Sequence, residues 1–454
     1  MNPKSRIQIR FIAYCLFTGP EQSSDLPGAQ SYLGNENQTA DIAARIAILK
    51  NAVDTAKAQL PESDADAQVV NVFMVPEFYF HGTKGAYIFS NAESDPLPEI
   101  FDGLLRTFNS EDYPNWTLVL GSAVTALIAN PEKLFASDAV QSRNAVVRTL
   151  LMEKNKAYGA TYDLLAKTLS SFIVDCQASP NLIVRDRAII VSTIPLDTVS
   201  EALGVRCMSS EKYFISGEDF ILCEPKGQKG VITEQMVAYD HIDLSGGDFK
   251  RVAFDEFAIF RQNFSGENGA CYLDYGVEIC LDHDDARLRN NLGFLPPDNP
   301  KGSVHVQLIP SYGSAILQSN VVAKKQGFVF NCDGQLRLDG SEGVQQYGGD
   351  GAQYTYISYG STKYGAHSQF ARVDTPALGN NPNSNSAQYL SIPDTDILIF
   401  DVPRPVLGEG EFEDYYCGGY GAVHIYGLNS PYLVSSSDSG QVSDECAVNT
   451  ATKA

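Results

Sequence analysis

The sequence contains no long hydrophobic run: none of its apolar stretches approaches the roughly 20 residues that a transmembrane helix needs. Positive charge is also scarce, because 33 Lys and Arg stand against 55 Asp and Glu, which gives a formal net charge of -22. A chain of this charge repels both nucleic-acid phosphates and anionic lipid. We therefore expect no nucleic-acid partner and no membrane partner.

Cysteine pairs are absent as well. The nine cysteines are scattered, odd in number and without a Cys-x-x-Cys spacing, which disfavours a disulfide framework and a structural zinc site. A secretory signal is not expected, because charged and polar residues interrupt the first apolar run, in which Ile7, Ile9 and Phe11 alternate as in a strand. Together these features predict a cytoplasmic protein with reduced thiols.

What the sequence does contain is an alternation of strand-like and helix-like patterns, which is typical of an α/β protein. Thr39 is a candidate N-cap of the first helix. Strands are predicted at 6–17, 69–76, 116–127, 145–152, 188–194, 274–281, 304–309, 327–332 and 395–402, and helices at 39–60, 97–108, 162–172, 284–292 and 320–325.

A hydrophobic content of 44% permits one large core. We interpret residues 1–434 as a single enlarged domain with insertions near 154–210 and 340–386, followed by a polar tail at 435–454. The segment 340–386 is rich in Gly, Tyr, Ser and Asn, which favours loops and hairpins over a binding repeat.

Two of the predicted apolar strands end at a residue that can perform chemistry. Glu77 directly follows the run VVNVFMVP, and Cys280 follows DYGVEI. A cysteine acts as a nucleophile in its thiolate form, so it needs a base to take the proton and positive charge nearby. Loops at the carboxyl ends of strands in an α/β sheet converge on one crevice. We therefore expect Glu77 and Cys280 to lie together.

Four segments resemble signatures of the nitrilase, or carbon-nitrogen hydrolase, superfamily. VPEF at 75–78 is similar to the segment that carries the family's glutamate base, and GVEICLD at 276–282 is similar to the segment around its cysteine nucleophile. LIPS at 308–311 and NCDG at 331–334 resemble the strand and the turn that follow. The pattern extends discontinuously over residues 6–402, in the order found in the family.

The resemblance implies a catalytic set of Glu77 as general base, Cys280 as nucleophile and a lysine between them in sequence that stabilises the tetrahedral intermediate. We assign this lysine to Lys212, because its aromatic and apolar neighbours would desolvate the ammonium and strengthen its interaction with developing negative charge. Lys154 and Lys156 remain alternatives, since they follow the fourth predicted strand, where a shorter family member would place the lysine.

Three further residues are assigned to the support of substrate or oxyanion. Glu218 follows the assigned lysine and matches a second glutamate that positions substrate or water in the family, with Asp219 as its competitor. The backbone N–H of Leu281 is expected to bind the oxyanion together with the lysine. His81 lies shortly after Glu77 and is expected to line the pocket.

The chemistry that the resemblance implies is hydrolysis of a non-peptide amide through a Cys thioester, an amidase-like reaction that requires no metal and no organic cofactor. The implied fold is a four-layer α-β-β-α sandwich, and the implied assembly is a homo-oligomer. The substrate is expected to be a small-molecule amide or nitrile. A nitrilase or acyl transferase on the same site is one alternative, and a non-catalytic binding or assembly module of the same fold is another.

Two other interpretations of the polar residues have less support. The run DHDD at 282–285 sets carboxylates beside an imidazole, but adjacent side chains diverge and acidic residues are expected where a helix begins. We therefore predict no metal site. A Cys-His-Asn protease with His283 or His305 as its base lacks a local signature.

Overall fold

The computed structural model describes residues 6–22, 30–62, 69–128, 182–212, 221–222, 233–234, 256–266, 269–290, 304–335, 358–359, 368–376, 386–390 and 396–435. Within these ranges no helix is both long and apolar enough to cross a membrane.

Most of the described regular structure is β-sheet. The helices are α1 (Gln38–Lys57), α2 (Leu97–Thr107), α3 (Leu281–Asp284) and α4 (Arg287–Asn290). The strands are β1 (Arg6–Cys15), β2 (Glu21–Gln22), β3 (Gln30–Ser31), β4 (Val70–Val75), β5 (Tyr87–Phe89), β6 (Trp116–Ile128), β7 (Leu182–Thr198), β8 (Val205–Glu211), β9 (Ile221–Leu222), β10 (Thr233–Glu234), β11 (Ile259–Gly266), β12 (Gly269–Val277), β13 (Val304–Ser311), β14 (Ala323–Asp333), β15 (Ser358–Tyr359), β16 (Ser368–Thr375), β17 (Gln388–Leu390), β18 (Ile397–Asp401), β19 (Ala422–Tyr426) and β20 (Tyr432–Ser435).

The long strands form one hydrogen-bonded sheet that has two halves. The first half-sheet has the order β18-β19-β1-β4-β6-β7, and its strands β1, β4 and β6 are parallel. The second half-sheet has the order β11-β12-β13-β14-β16, and its strands β12, β13 and β14 are parallel. β7 and β11 join the halves through the pairs Thr198–Phe260 and Asp197–Arg261.

The two half-sheets pack face to face around an apolar core. The first contributes Ile9 and Phe11 of β1 and Met74 of β4, and the second contributes Leu308 of β13 and Phe330 of β14. The ring centroids of Phe11 and Phe330 lie 5.4 Å apart. Because both faces of the central parallel strands are buried, a strand such as β4 is apolar almost throughout and does not alternate.

Helices α1 and α2 cover the outer face of the first half-sheet. Ile46 and Leu49 of α1 and Leu104 of α2 belong to the same apolar cluster as Phe73, which lies on the opposite face of β4 from Met74. Helices, first half-sheet and second half-sheet therefore lie in this order. An outer helical layer beyond the second half-sheet, and with it the four-layer α-β-β-α sandwich, stays a prediction.

The proposed N-cap of the first helix is wrong. Helix α1 begins at Gln38, and its N-cap is Asn37, whose side chain accepts a hydrogen bond from the N–H of Ala40 at 3.2 Å. Thr39 therefore lies inside the first turn. Asn and Thr are both good caps, so local composition did not separate the two positions.

Two predicted helices in the second half of the chain are also corrected. The helix predicted at 284–292 begins earlier, at Leu281, and is broken at Ala286, whose φ of 57° cannot continue a right-handed helix. The predicted helix at 320–325 is not formed, because β14 begins at Ala323 and pairs with β13. Sheet pairing in a buried position overrides the local pattern there.

The regions predicted as insertions contribute strands to the sheet where they are described. β7 and β8 fall largely within 154–210, and β16 falls within 340–386; each pairs with a neighbour in the main sheet. The predicted strand at 145–152, the predicted helix at 162–172 and the tail after Ser435 lie outside the described residues. β8 ends directly before Lys212, so the edge of the first half-sheet delivers this lysine.

Candidate active site

Strand ends from both half-sheets meet at Gly334, just after β14. The N–H of Thr18, beyond the end of β1, donates to the carbonyl of Gly334 at 3.1 Å. A Cβ at Gly334 would lie 2.2 Å from Thr18 Oγ1 and 2.8 Å from Pro76 Cβ, so glycine permits this close approach. The carboxyl ends of β1, β4 and β14 therefore converge, as expected for a site in an α/β protein.

Glu77 and Lys212 form a buried ion pair at this convergence. The Lys212 ammonium donates to Glu77 Oε1 at 2.8 Å, and both side chains are 0% exposed. The backbone N–H of Lys212 donates to the carbonyl of Asp186 on β7, and its Nζ lies 5.9 Å from the ring centroid of Phe78. Two opposite charges held away from water interact strongly, because little solvent screens them.

The backbone around Glu77 is held by β6. Phe78 has a φ of 62°, and its N–H donates to Ser122 Oγ at 3.0 Å. β6 bulges between Val119 and Ser122, and Gly121 in this bulge has a φ of 61°. A Cβ on Gly121 would lie 1.9 Å from the carbonyl oxygen of Pro76. The bulge thus leaves room for the chain to turn and present Glu77.

Replacing Gly121 by alanine is expected to destabilise the protein by about 2 to 5 kcal/mol, the sum of a positive-φ penalty and a steric clash. Gly204 is a matched control, because it has a φ of 63° but nothing within 4 Å of its Cβ position. Gly204→Ala should cost only about 1 to 2 kcal/mol. Urea unfolding of the two variants measures both values, and equal losses would contradict the proposed role of the bulge.

Cys280 occupies a strained turn between β12 and α3. Its φ of 47° and ψ of -108° are unfavourable for a residue with a Cβ. The turn is held because Cys280 N–H donates to the carbonyl of Pro310 at 3.0 Å and Glu278 N–H donates to that of Leu308. Leu281 N–H, the next amide, donates to no acceptor among the residues that the structure describes. It is available to bind negative charge beside the sulfur.

A loop after β13 surrounds the thiol. The Cys280 sulfur lies 3.5 Å from the carbonyl oxygen of Tyr312 and 3.5 Å from the hydroxyl of Ser314. Asp333 fixes this loop by accepting hydrogen bonds from Ser311 Oγ and from Gly313 N–H, at 2.9 and 2.6 Å. The segments 308–311 and 331–334 therefore position the groups that touch the sulfur. Sequence reasoning noted these segments but assigned no role to Asp333 or Ser314.

The electrostatics of the thiol connect the three residues. Burial raises the pKa of Cys280 well above its ordinary value, and the carboxylate of Glu77 raises it further. The ammonium of Lys212 and the hydrogen bonds that the thiol makes with Ser314 and with the backbone of Tyr312 act in the opposite direction. Both charges of the ion pair are thus close enough to influence the sulfur, and the raised pKa favours its neutral form.

Alkylation of Cys280 provides a test of this arrangement. Because the pKa of the thiol is raised well above its ordinary value, the rate of its reaction with iodoacetamide should still increase with pH where an ordinary thiol is already ionised. Glu77→Gln removes a charge that raises the pKa of the thiol, so the midpoint of the alkylation profile should move to lower pH. Alkylation would then become faster at a given pH although hydrolysis is lost.

The control for this experiment lies in the same chain. Burial also raises the pKa of Cys207, but its charged neighbours are Arg206 and Asp102. Peptide mapping should show a changed profile for the Cys280 peptide and an unchanged profile for the Cys207 peptide. A Glu77→Gln midpoint that stays in place or rises would contradict the electrostatic link between Glu77 and the thiol.

The structure describes only some of the remaining predicted site residues. Lys154, Lys156 and Glu218 lie outside the described residues. His81 is buried beside Arg45, whose guanidinium nitrogens lie 3.3 and 3.4 Å from its ring nitrogens. Burial and then the charge of Arg45 lower the pKa of His81 well below its ordinary value. Its expected role in lining the pocket stays a prediction.

His283 is engaged on both ring nitrogens. Nε2 accepts a hydrogen bond from the N–H of Leu317 at 3.0 Å, so the proton is on Nδ1, which donates to Glu278 Oε2 at 2.7 Å. Neither nitrogen is available as a base for a thiol, which disfavours the protease interpretation. Asp282, in the same DHDD run, accepts from Arg287 at 2.9 Å.

His305 is held in a similar way. Its Nδ1 accepts from the N–H of Asp274 at 3.0 Å, and Lys324 contacts its Nε2. Burial, followed by the charges of Lys324 and Arg261, lowers the pKa of His305 well below its ordinary value. Across the described ranges, no group of three or more His, Cys, Asp or Glu side chains has an arrangement that could hold a metal ion.

Comparisons with known proteins add little to this geometry. No protein-family model matches the sequence, and no curated protein matches it either. Among solved structures, the chain is similar to a crystal structure of an N-terminal amidase with a cysteine-to-serine substitution, at 12% identity and a TM-score of 0.26. The match covers 68% of this chain and 48% of that one, so this chain spans about half the length of that relative.

Proposed function

We propose that the chain is a cysteine-dependent hydrolase of carbon-nitrogen bonds other than peptide bonds, with an amidase-like activity on a small molecule. The observation that carries the proposal is the fully buried Glu77–Lys212 ion pair beside the strained Cys280, whose thiol is influenced by both charges. A base, a cation and a nucleophile at converging strand ends form a set suited to acyl transfer.

The first step is activation of the thiol. In the resting arrangement the thiol contacts the carbonyl of Tyr312 and the hydroxyl of Ser314. In the proposed step the S–H bond turns away from these groups and its proton passes to Glu77, whose charge acts on the thiol. Proton transfer neutralises the Glu77 carboxylate and frees the Lys212 ammonium from its counter-ion. The cation is then available to stabilise negative charge as the thiolate attacks the amide carbon and a C–S bond forms.

The negative charge that develops on the substrate oxygen is bound by Lys212 and the backbone N–H of Leu281. Collapse of the tetrahedral intermediate breaks the C–N bond, and the leaving amine takes the proton held by Glu77. Water then donates a proton to Glu77 and attacks the thioester, which releases the acid and returns the proton to Cys280. Apart from the substrate and water, all groups in these steps come from the chain itself, so the mechanism requires no metal and no organic cofactor.

The structural context of the proposal is that of the superfamily which the sequence resembles. It includes the four-layer α-β-β-α sandwich, a homo-oligomeric assembly and a small-molecule amide or nitrile as the partner. The order of helices, first half-sheet and second half-sheet corresponds to three of the four layers and so supports the sandwich. The fourth layer is part of the proposal.

The proposal is tested with a library of amides and nitriles in the presence of hydroxylamine, which traps an acyl-enzyme as a hydroxamate. The expected result is ammonia or amine release from an amide with formation of the hydroxamate, and loss of both with Cys280→Ser. Conversion of nitriles alone would favour a nitrilase, and acyl transfer to an amine in preference to water would favour a transferase. A Cys280→Ser protein that processes every substrate normally would overturn the proposal.

A further inference from the structure

A carboxylate is linked to the thiol through one hydroxyl group and has no role in the steps above. Ser314, which contacts the Cys280 sulfur at 3.5 Å, donates its hydroxyl proton to Asp284 Oδ2 at 3.0 Å. Asp284 is therefore only two short contacts from the nucleophile. Unlike Cys280 and Ser314, it is exposed to solvent.

The position of Asp284 is built into the fold. It is the last residue of α3, and its carbonyl accepts a hydrogen bond from the Asn320 side chain at 3.0 Å. Desolvation raises the pKa of its carboxyl, and the Ser314 hydrogen bond, followed by the charges of His283 and Lys212, opposes this effect. The hydrogen bond from Ser314, which also contacts the Cys280 sulfur, places the carboxylate on the side of α3 that faces the site.

The charge balance at the site is negative. Glu77 and Lys212 neutralise each other inside the protein, whereas Asp284 adds a solvent-exposed carboxylate that Ser314 links to the thiol. Its Oδ2 accepts from Ser314, and a carboxylate oxygen pair can accept further hydrogen bonds from a cation. A substrate with a negative group at this place would be repelled, whereas a positive group would be attracted.

We infer that the substrate carries an ammonium or guanidinium group near the scissile amide and that Asp284 binds this group. The inference rests on the proposed function and specifies its substrate class. At attack, the reacting carbon of the substrate lies about 3 to 3.5 Å from the sulfur. A cation about two to four bonds from that carbon would then reach Asp284. Because Asp284 is near solvent, its expected contribution is moderate and appears as a preference among substrates.

The first test measures charge preference without requiring catalysis. Cationic and anionic methanethiosulfonates each form a mixed disulfide with the Cys280 thiolate and release methanesulfinate, so the ratio of their rates reports the local charge. Asp284→Asn should lower the cation-to-anion ratio at Cys280 by about fivefold, in line with the loss of one nearby, partly solvated charge. The modified residue is identified by peptide mapping.

Glu111→Gln is the matched control, because the whole chain is acidic and attracts cations at long range. Glu111 is exposed and precedes β6, so it lies at the end of the parallel strands opposite to the site. The substitution makes the same change in net charge and should leave the ratio at Cys280 unchanged. Equal effects of the two variants, or no effect of Asp284→Asn, would overturn the inference.

The second test uses pairs of amides that differ only in a positive charge, such as an amino-acid amide with a free amine and its N-acetyl counterpart. Wild type should prefer the cationic member in kcat/KM, and Asp284→Asn should lose this preference while it retains activity on the neutral member. If Cys280 reacts equally with both members, the inference fails and the proposed hydrolase survives. If no amide acylates Cys280, the proposed function fails, and the inference about a substrate fails with it.

Discussion

Replacing Lys212 by methionine is expected to destabilise the protein by about 3 to 5 kcal/mol and to abolish amide hydrolysis. The ammonium and the Glu77 carboxylate are both fully buried and 2.8 Å apart, so removal of the cation leaves a buried negative charge without its neutralising partner. The same substitution removes the cation that the proposed mechanism places at the oxyanion. Urea unfolding and a hydrolysis assay measure the two effects separately.

A double variant distinguishes the two roles of this pair. Glu77→Gln combined with Lys212→Met removes both buried charges, so it should recover most of the lost stability and still have no activity. Recovery of activity along with stability would assign the pair a purely structural role. A Lys212→Met variant with normal activity would instead indicate that the catalytic lysine is Lys154 or Lys156.

Replacing Cys280 by alanine is expected to reduce turnover by about 10⁴-fold or more, because no thioester can form. Stability should change little, since only one sulfur atom is removed and the strained backbone is held by hydrogen bonds of the main chain. Cys207→Ala is the matched control, because it removes a partly buried thiol outside the site. Turnover that survives Cys280→Ala but not Cys207→Ala would show that the wrong cysteine had been assigned.

Several elements of the fold follow from local pattern. The predicted strand at 69–76 corresponds to β4, and the predicted helix at 97–108 corresponds to α2 with a one-residue difference at its end. In both segments a long apolar pattern has clear boundaries, and burial reinforces the local preference. The expectation that Glu77 and Cys280 would approach each other used the same patterns and the convergence of strand ends. In the structure the charge of Glu77 acts on the Cys280 thiol and raises its pKa.

Other elements depend on tertiary partners that the sequence does not reveal. β8 contains the polar run VRCMSSE and is a strand because β7 pairs with it. β19 lies between β1 and β18, which are almost the whole chain apart. Lys212 was assigned from its aromatic neighbours in sequence, whereas the described aromatic ring beside it is Phe78, from the loop that carries Glu77.

The supporting residues of the site were the hardest to predict. Asp333 accepts a hydrogen bond from Gly313 in the loop after β13, and Ser314 belongs to that loop and contacts the Cys280 sulfur. Neither contact has a characteristic sequence spacing. Asp284 appeared in the sequence as one acid of the DHDD run, with the start of a helix as its expected role. Its link to Ser314, and through it to Cys280, is visible only in three dimensions.

The most direct test of the account is mass spectrometry of the protein quenched in acid during turnover of an amide that it hydrolyses. We predict a mass increase equal to the acyl group, mapped to the peptide that contains Cys280, and no such adduct on Cys280→Ala. An acyl group on any other residue, or steady turnover with no adduct on the Cys280 peptide, would contradict the thioester mechanism and the assignment of Cys280 as nucleophile.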